Sequence, residues 1–282
     1  EKSVETVSGL LFTIIVSYIL NRVFSMKSNI NVKQHNEFVR NRLIINNLIS
    51  SRILIKFISL IKTDDEDFHE YSIKAVDIMN NYDGGKSYKE LEKACDLLTS
   101  AIYRESNKNN SFLKMPLFQF ISFKNNIITA KFNPYLKEFL LNLKTNFTQY
   151  KINEFLILPS LYSQRIFEYL MSRHNHNQVI VYIDELHSFL NTPITFRKNF
   201  IHMRLRVLDK AYKDINERTS LKYEWEALKT KNKVTAIRFI FSQENRMVIQ
   251  KETIKKLTDK FIAEQARPGE TWEEARERLS NR

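Results

Sequence analysis

The chain holds four glycines in 282 residues, along with five prolines and one cysteine. Each scarcity excludes something. Folds that cradle a nucleotide phosphate need several glycines at fixed spacing, because the backbone must approach the phosphate closely. A lone thiol, Cys95, makes no internal disulfide and no zinc–thiolate cluster, which points to a reducing interior such as the cytoplasm. Acidic residues are short as well: 32 face 44 lysines and arginines, a formal net charge of +12. Such a surplus attracts a polyanion, either nucleic acid or an anionic membrane surface. Apolar residues are plentiful, at 43% of the chain, enough for packed cores and against wholesale disorder. At about 100–200 residues per domain, the length suits two domains.

A membrane-length apolar run is also missing. Thr6 to Leu20 carries no charge, but it is shorter than the roughly 18–20 residues that span a bilayer. It lacks the basic start and small-residue cleavage site of a signal peptide. Three readings stay open: a helix packed on the protein, a short anchor, or a non-native leader ahead of a start at Met26. Residues 1–31 are therefore set apart as an apolar leader, and 244–282 as a C-terminal helix and charged tail.

Between these ends one order of elements occurs twice. Ile45, Ile49, Ile53, Phe57 and Ile61 recur every four residues, the spacing of one helix face. Glu70 to Lys74 reads as a strand and Ala75 to Asn80 as a short helix. Ser87 is placed to cap a longer helix, with Glu90 as its capping-box partner. Leu91, Ala94, Leu97, Leu98 and Ile102 form that helix's apolar face. Two apolar runs flank Asn125-Asn126, a hairpin signal because asparagine tolerates positive φ. Pro134 to Leu143 reads as a helix and Lys144 to Tyr150 as a connector.

The second round begins with a helix over Ser160 to His174 and a strand over Val179 to Ile183. Asp184 is placed to cap a short helix that Asn191-Thr192-Pro193 breaks. Thr195 starts a long helix to about Thr219, with Ile201, Leu205, Leu208, Tyr212 and Ile215 inward. Alternation over Leu221 to Ala227 predicts a half-buried strand, paired with Val234 to Phe241. Helix, strand, short helix, long helix and hairpin make a winged helix-turn-helix. The expected fold class is α+β, mainly helical, with two tandem winged helix-turn-helix domains over 32–146 and 147–243.

The charge is not spread evenly. Twelve basic and five acidic residues lie between Thr195 and Arg238, a net +7 of the total +12. A helix fits the major groove with its first turns facing base edges. Arg197, Lys198, Asn199, Arg204 and Arg206 are the candidate DNA-reading residues of the second domain, because arginine pairs with guanine and asparagine with adenine. Lys229, Lys231 and Lys233 of the hairpin suit phosphate, which adds affinity without sequence information. In the first domain Lys86, Ser87, Tyr88, Lys89 and Lys93 hold the corresponding helix start.

Other motifs point to ordinary structure. Gly85-Lys86-Ser87 resembles the end of a P-loop, but Asn80 stands where its first glycine belongs. His174-Asn175-His176 lies in a polar turn, and Asp64, Asp65, Glu66 and Asp67 form an acidic loop of the solvated kind. No nucleophile–base pair emerges at usable spacing, so no catalytic residue, metal or cofactor is expected.

Four segments carry a family resemblance. Phe147 to Tyr150, Tyr162 to Leu170, Arg206 to Asp209 and Asp214 to Thr219 resemble, in order and spacing, landmarks of the Rep-type plasmid replication initiators, the iteron-binding group with two winged-helix domains. The similarity covers roughly Val32 to Ser242. It implies a non-enzymatic bacterial protein that binds direct DNA repeats (iterons) at a plasmid origin and helps open the DNA. It also implies recruitment of the host initiator and replicative helicase, and autorepression as a dimer. Leu205 stands where many relatives have a third basic residue, and Lys231-Asn232-Lys233 replaces the usual Lys-Gly-Arg wing tip. A winged-helix transcriptional repressor with no replication role is the alternative.

Overall fold

The computed structural model describes residues 30–41, 45–79, 85–106, 112–241 and Thr271. Nearly all of the apolar leader and of the C-terminal helix and tail lies outside the described residues.

The described residues open with β1 (Asn31–His35), α1 (Asn36–Asn41) and α2 (Leu48–Ile58). Helix α2 starts where it does because the Asn47 side chain accepts the Ser50 N–H at 3.0 Å, satisfying a donor left free by the first turn. Its Ile53, Leu54, Ile55, Phe57 and Ile58 are buried; at roughly 1.5–3 kcal/mol per fully buried large apolar side chain, this face is a main anchor of the unit. The helix is shorter than the four-residue repeat suggests, since Ile45 precedes it and Ile61 follows it.

Strand β2 (Tyr71–Lys74) and a 3-10 turn (Ala75–Asp77) lead to α3 (Gly85–Thr99). Helix α3 begins two residues before Ser87, so Ser87 sits in its first turn and not at its cap. Leu91, Ala94 and Leu98 are buried as expected, whereas Leu97 is exposed. Ile102 leaves the helix altogether for a hairpin absent from the sequence reading, β3 (Ile102–Ser106) with β4 (Phe112–Pro116). Then come β5 (Phe118–Lys124) and β6 (Ile127–Phe132). Their turn residues Asn125 and Asn126 have φ of 52° and 60°, the two positive values that a tight type I′ hairpin requires. The sheet order is β2-β6-β5. Stacking of Phe118 on Phe132, with centroids 4.7 Å apart, locks the wing base onto the core.

A 3-10 turn (Pro134–Leu136) and α4 (Lys137–Leu140) follow. The expected connector then forms β7 (Phe147–Lys151), antiparallel to β1 with Asn31 opposite Lys151 and His35 opposite Phe147. This pairing ties the start of the first unit to the entry of the second. After α5 (Ile152–Leu156), helix α6 (Leu161–Met171) is capped by Ser160, whose hydroxyl accepts the Ser163 N–H at 3.0 Å. Helix α6 has two polar seams. Toward β1 and β7, buried Glu168 accepts from Tyr150 at 2.6 Å and from Gln34 at 2.7 Å. Toward the next helix layer, Ser163 donates to Asp214 at 2.6 Å. Buried carboxylates persist where such charge-assisted bonds meet them.

The second unit continues with β8 (Gln178–Tyr182), α7 (Ile183–Leu190), α8 (Ile194–Lys198) and α9 (Phe200–Met203). A π-helical turn (Arg204–Leu208), α10 (Asp209–Arg218), β9 (Tyr223–Thr230) and β10 (Lys233–Phe241) complete it. Asp184 lies in the first turn of α7 and does not cap it. The sheet order β8-β10-β9 repeats that of the first unit: the first strand pairs with the last and the middle strand forms the outer edge. Both halves are therefore winged helices, as the element order predicts.

Candidate nucleic-acid interface

The long helix expected from Thr195 to Thr219 is interrupted. Pro193 precedes its first residue, Ile194, so Thr195 does not cap it. At Asn199 the backbone turns extended, with φ −135° and ψ 106°. The Asn199 side chain then accepts the Ile201 N–H at 3.0 Å and starts a new helix. The following π turn adds a residue to the helical repeat, a feature common at functional sites.

These two irregularities reassign the faces. Met203, Val207, Leu208, Ala211 and Ile215 are buried, while Ile201 and Leu205 are each 60% exposed. Two of the five residues in the inward stripe read from the sequence are therefore misplaced. Leu208 and Ile215 are core and Tyr212 is partly buried, but Ile201 and Leu205 point outward. A cap in mid-helix resets the angular register, which a uniform 3.6-residue period does not foresee.

The predicted reading residues fall into two groups. Arg197 and Lys198 lie exposed on α8 before the break. Arg206, from the π turn, places its guanidinium 5.9 Å from the Phe196 ring centroid and so lies back toward α8, at the outer limit of a cation–π contact. Arg204 faces the other way, toward the wing. Its Nε lies 3.3 Å from the Asp209 carboxylate, and it lines a groove with Phe200, Ile201, Trp225, Lys229 and Lys233. Glu224 lines the groove too and accepts the Tyr212 hydroxyl at 2.9 Å. That bond raises the tyrosine's pKa above its ordinary value.

The wing is longer than expected. Strands β9 and β10 run to Thr230 and Lys233 and leave only Lys231 and Asn232 as the turn. Lys229 and Lys233 thus sit on strands and Lys231 on the tip, all three exposed. The left-handed residue is Lys231, with φ 55°, and not the asparagine beside it. A register shift between Val234 and Ala236 marks a bulge near the tip, which bends a wing away from its sheet. Of the other cations, Lys222 is tied to the Asn216 and Thr219 carbonyls and Arg238 to Glu226.

Behind α8, His187 is buried near the end of α7, with Nδ1 2.5 Å from the Thr192 hydroxyl. Burial, reinforced by nearby Arg197, lowers its pKa. Asn191 ends α7 in the left-handed region at φ 47°, as its place in the turn predicts.

In the first unit Lys86, Tyr88, Lys89 and Lys93 are exposed along α3, and Ser87 is half-buried. Tyr88 packs on Phe123 of the wing at 5.7 Å between ring centroids, and its hydroxyl reaches Glu92 at 3.3 Å. Cys95 is partly buried on this helix, and burial pushes its thiol up to about 11. Among the described residues no group of three or more histidines, cysteines, aspartates and glutamates is placed to hold a metal. Among them, too, no helix is long and apolar enough to cross a membrane.

Sequence reasoning missed the outward Ile201 and Leu205. The available signal was Leu205 between two arginines, an awkward place for a core residue.

Two winged helices of matching topology, one carrying a cationic helix and wing, define the class as a double winged-helix protein. Comparison with known families narrows it. Residues 31–171 match the family described as initiator replication protein, WH1, and residues 182–241 match initiator Rep protein, WH2. The chain belongs to this initiator replication protein family. Among solved structures, a Pi initiator protein in complex with iteron DNA shares 17% identity, covering 77% of this chain and 99% of its own, with a TM-score of 0.62. Domains 2-3 of RctB share 11% identity over 71% of this chain and 82% of their own, with a TM-score of 0.39. The WH1 domain of MSBI1.176, a replication protein isolated from a multiple sclerosis patient, shares 16% identity. It covers 32% of this chain and 78% of its own, with a TM-score of 0.23. The last two superpose too loosely to bear on the fold. No curated protein matches the chain by sequence.

Proposed function

We propose that this protein is a plasmid replication initiator that binds direct repeats at its origin and promotes opening of the adjacent duplex. The observation carrying this reading is the cationic helix and wing on the second winged helix of a chain whose two halves both match initiator families. Arg197, Lys198, Asn199, Arg204 and Arg206 enter the major groove, and Lys229, Lys231 and Lys233 grip phosphate. Lys86, Ser87, Tyr88, Lys89 and Lys93 add a weaker contact from the first unit. The solved Pi initiator was captured with iteron DNA, which favours the same ligand class here. The division at residues 146 and 147 gives each half one DNA contact, and the first half also serves dimerisation. As a dimer the protein represses its own gene, and at the origin it recruits the host initiator and replicative helicase. Two modules on one site offset the several kcal/mol that deforming DNA costs. The work is done by binding, with no cofactor and no catalytic residue.

The test is binding to a duplex carrying the tandem repeats beside the gene, against a random duplex of equal length. Nanomolar affinity that is specific to the repeats and falls steeply with salt is expected. Equal affinity for both duplexes overturns the reading. Replication in trans of a plasmid bearing only the origin separates an initiator from a repressor.

A further inference from the structure

The outward turn of Ile201 and Leu205 gives the reading helix a second chemistry, one that rests on the DNA-binding role proposed above. We infer that these two side chains contact thymine methyl groups in the major groove and help set the sequence that the protein reads.

Both side chains are 60% exposed, although Met203, Val207 and Leu208 between and beside them are at 1% or less. The segment therefore closes its core without them. The Asn199 cap and the π turn are what hold them outside. Single exposed apolar side chains are ordinary on a protein surface, and Ile194 is exposed as well; what sets this pair apart is its spacing of one helical turn on the cationic segment. Charge says what covers this pair. Ile194 to Leu208 contains Arg197, Lys198, Arg204 and Arg206 and no acidic residue. The groove that Ile201 shares with Arg204 also holds Asp209, Glu224 and Glu226, but each is engaged: Asp209 by Arg204, Glu224 by the Tyr212 hydroxyl and Glu226 by Arg238. An apolar pair framed by four cations suits a surface that is anionic and has apolar spots, and duplex DNA is such a surface. In the major groove the only apolar group on a base edge is the C5 methyl of thymine. Side chains without donors or acceptors read that group and reject the polar edge of cytosine. Ile201 and Leu205 lie four residues apart, one helical turn, so together they span neighbouring base pairs while Arg204 and Arg206 reach phosphate or guanine on either side.

The test uses the full chain and a randomised duplex library. Sequences enriched by binding are first read out. Each enriched thymine is then replaced by uracil, which removes the methyl and leaves the hydrogen-bonding edge intact. At one or two positions the replacement should weaken binding about fourfold, the worth of one buried methyl-sized group. Leu205→Ala and Ile201→Ala should each lose part of that uracil sensitivity without a change in melting temperature, because both side chains lie outside the core. Indifference of the wild-type protein to uracil everywhere overturns the inference and leaves the initiator reading standing. Unchanged DNA binding by both variants also overturns it, and assigns the pair to a protein surface instead. A library that yields no enriched sequence overturns the DNA-reading function itself.

Discussion

The two winged helices share a sheet order but present different third helices. In the first unit α3 is one unbroken helix over Gly85–Thr99, and its three lysines are balanced by Glu90, Glu92 and Asp96. In the second unit the equivalent span from Ile194 to Arg218 is broken at Asn199, loosened at Arg204–Leu208, and has seven basic against three acidic residues. A neutral straight helix packs one face and leaves the other to water. A broken cationic one shows two faces at once, with Arg206 toward α8 and Arg204 toward the wing. The same topology thus carries a charge-balanced straight helix in one unit and a broken cationic helix in the other, and local backbone chemistry makes the difference.

The comparison is most sharply tested through the cores. Phe132→Ala in the first unit and Phe239→Ala in the second each remove a fully buried ring, at about 3–5 kcal/mol apiece. Urea unfolding should shift as one transition in both variants, because the β1–β7 pair and the Gln34–Glu168 bond of α6 join the units. Two separate transitions would break the claim that they share a core.

Next in size is the contrast between the helices themselves. Arg204→Ala should cost about 1–3 kcal/mol of binding at one base pair and relax preference there. Lys89→Ala on α3 should cost well under that and leave preference unchanged. Fluorescence anisotropy against single-base variants of the selected site checks both, and equal losses would erase the distinction.

Asn199→Ala should cost roughly 1 kcal/mol of stability by removing the cap. It should also reduce sequence preference, because it removes a proposed reading side chain and relaxes the break that turns Ile201 and Leu205 outward. Stability loss without any change in preference would show that the break only serves packing.

A smaller effect belongs to the wing tip. Lys231→Asn removes the charge and keeps a residue that tolerates φ 55°. Binding should weaken by a similar factor on every sequence, and the salt slope should fall by roughly one unit. A sequence-dependent change would place Lys231 on a base edge.

The gentlest probe is pH. Burial lowers the His187 pKa from 6.5, so folding holds it neutral. Its contribution is complete above 6.5, and stability declines as pH falls through and below that value, where the unfolded chain takes up the proton more readily. His187→Gln should flatten that part of the pH–stability curve.

Much of this was legible in the residues. Ser160 starts a helix and Asn191 breaks one where the residues predict them, whereas the cap at Asn47 was hidden by the apolar spacing that runs from Ile45 to Ile61. Asn125-Asn126 marks the first wing. Alternation from Leu221 to Ala227 marks the second, and the basic cluster marks its helix. Each signal is carried by residues within a few positions of one another. The β1–β7 pair was not legible, because Asn31 and Lys151 are distant in sequence and neither strand alternates clearly. The β3–β4 hairpin was hidden for a related reason: Ile102 continues the apolar spacing of α3, and nothing local says that the helix stops first.

By itself the amino-acid sequence determined the repeated winged-helix order of the main helices, strands and wings, though not β1, β7 or the β3–β4 hairpin, and the concentration of positive charge on one helix and its wing. Those follow from short-range periodicity, capping and composition. Only the tertiary structure decided which side of Ile194–Arg218 faces the core. That choice depends on an asparagine taking the role of a cap in mid-segment, and on Met203 and Val207 filling the space beneath it. Packing made those residues the core, and so left Ile201 and Leu205 facing outward among the arginines.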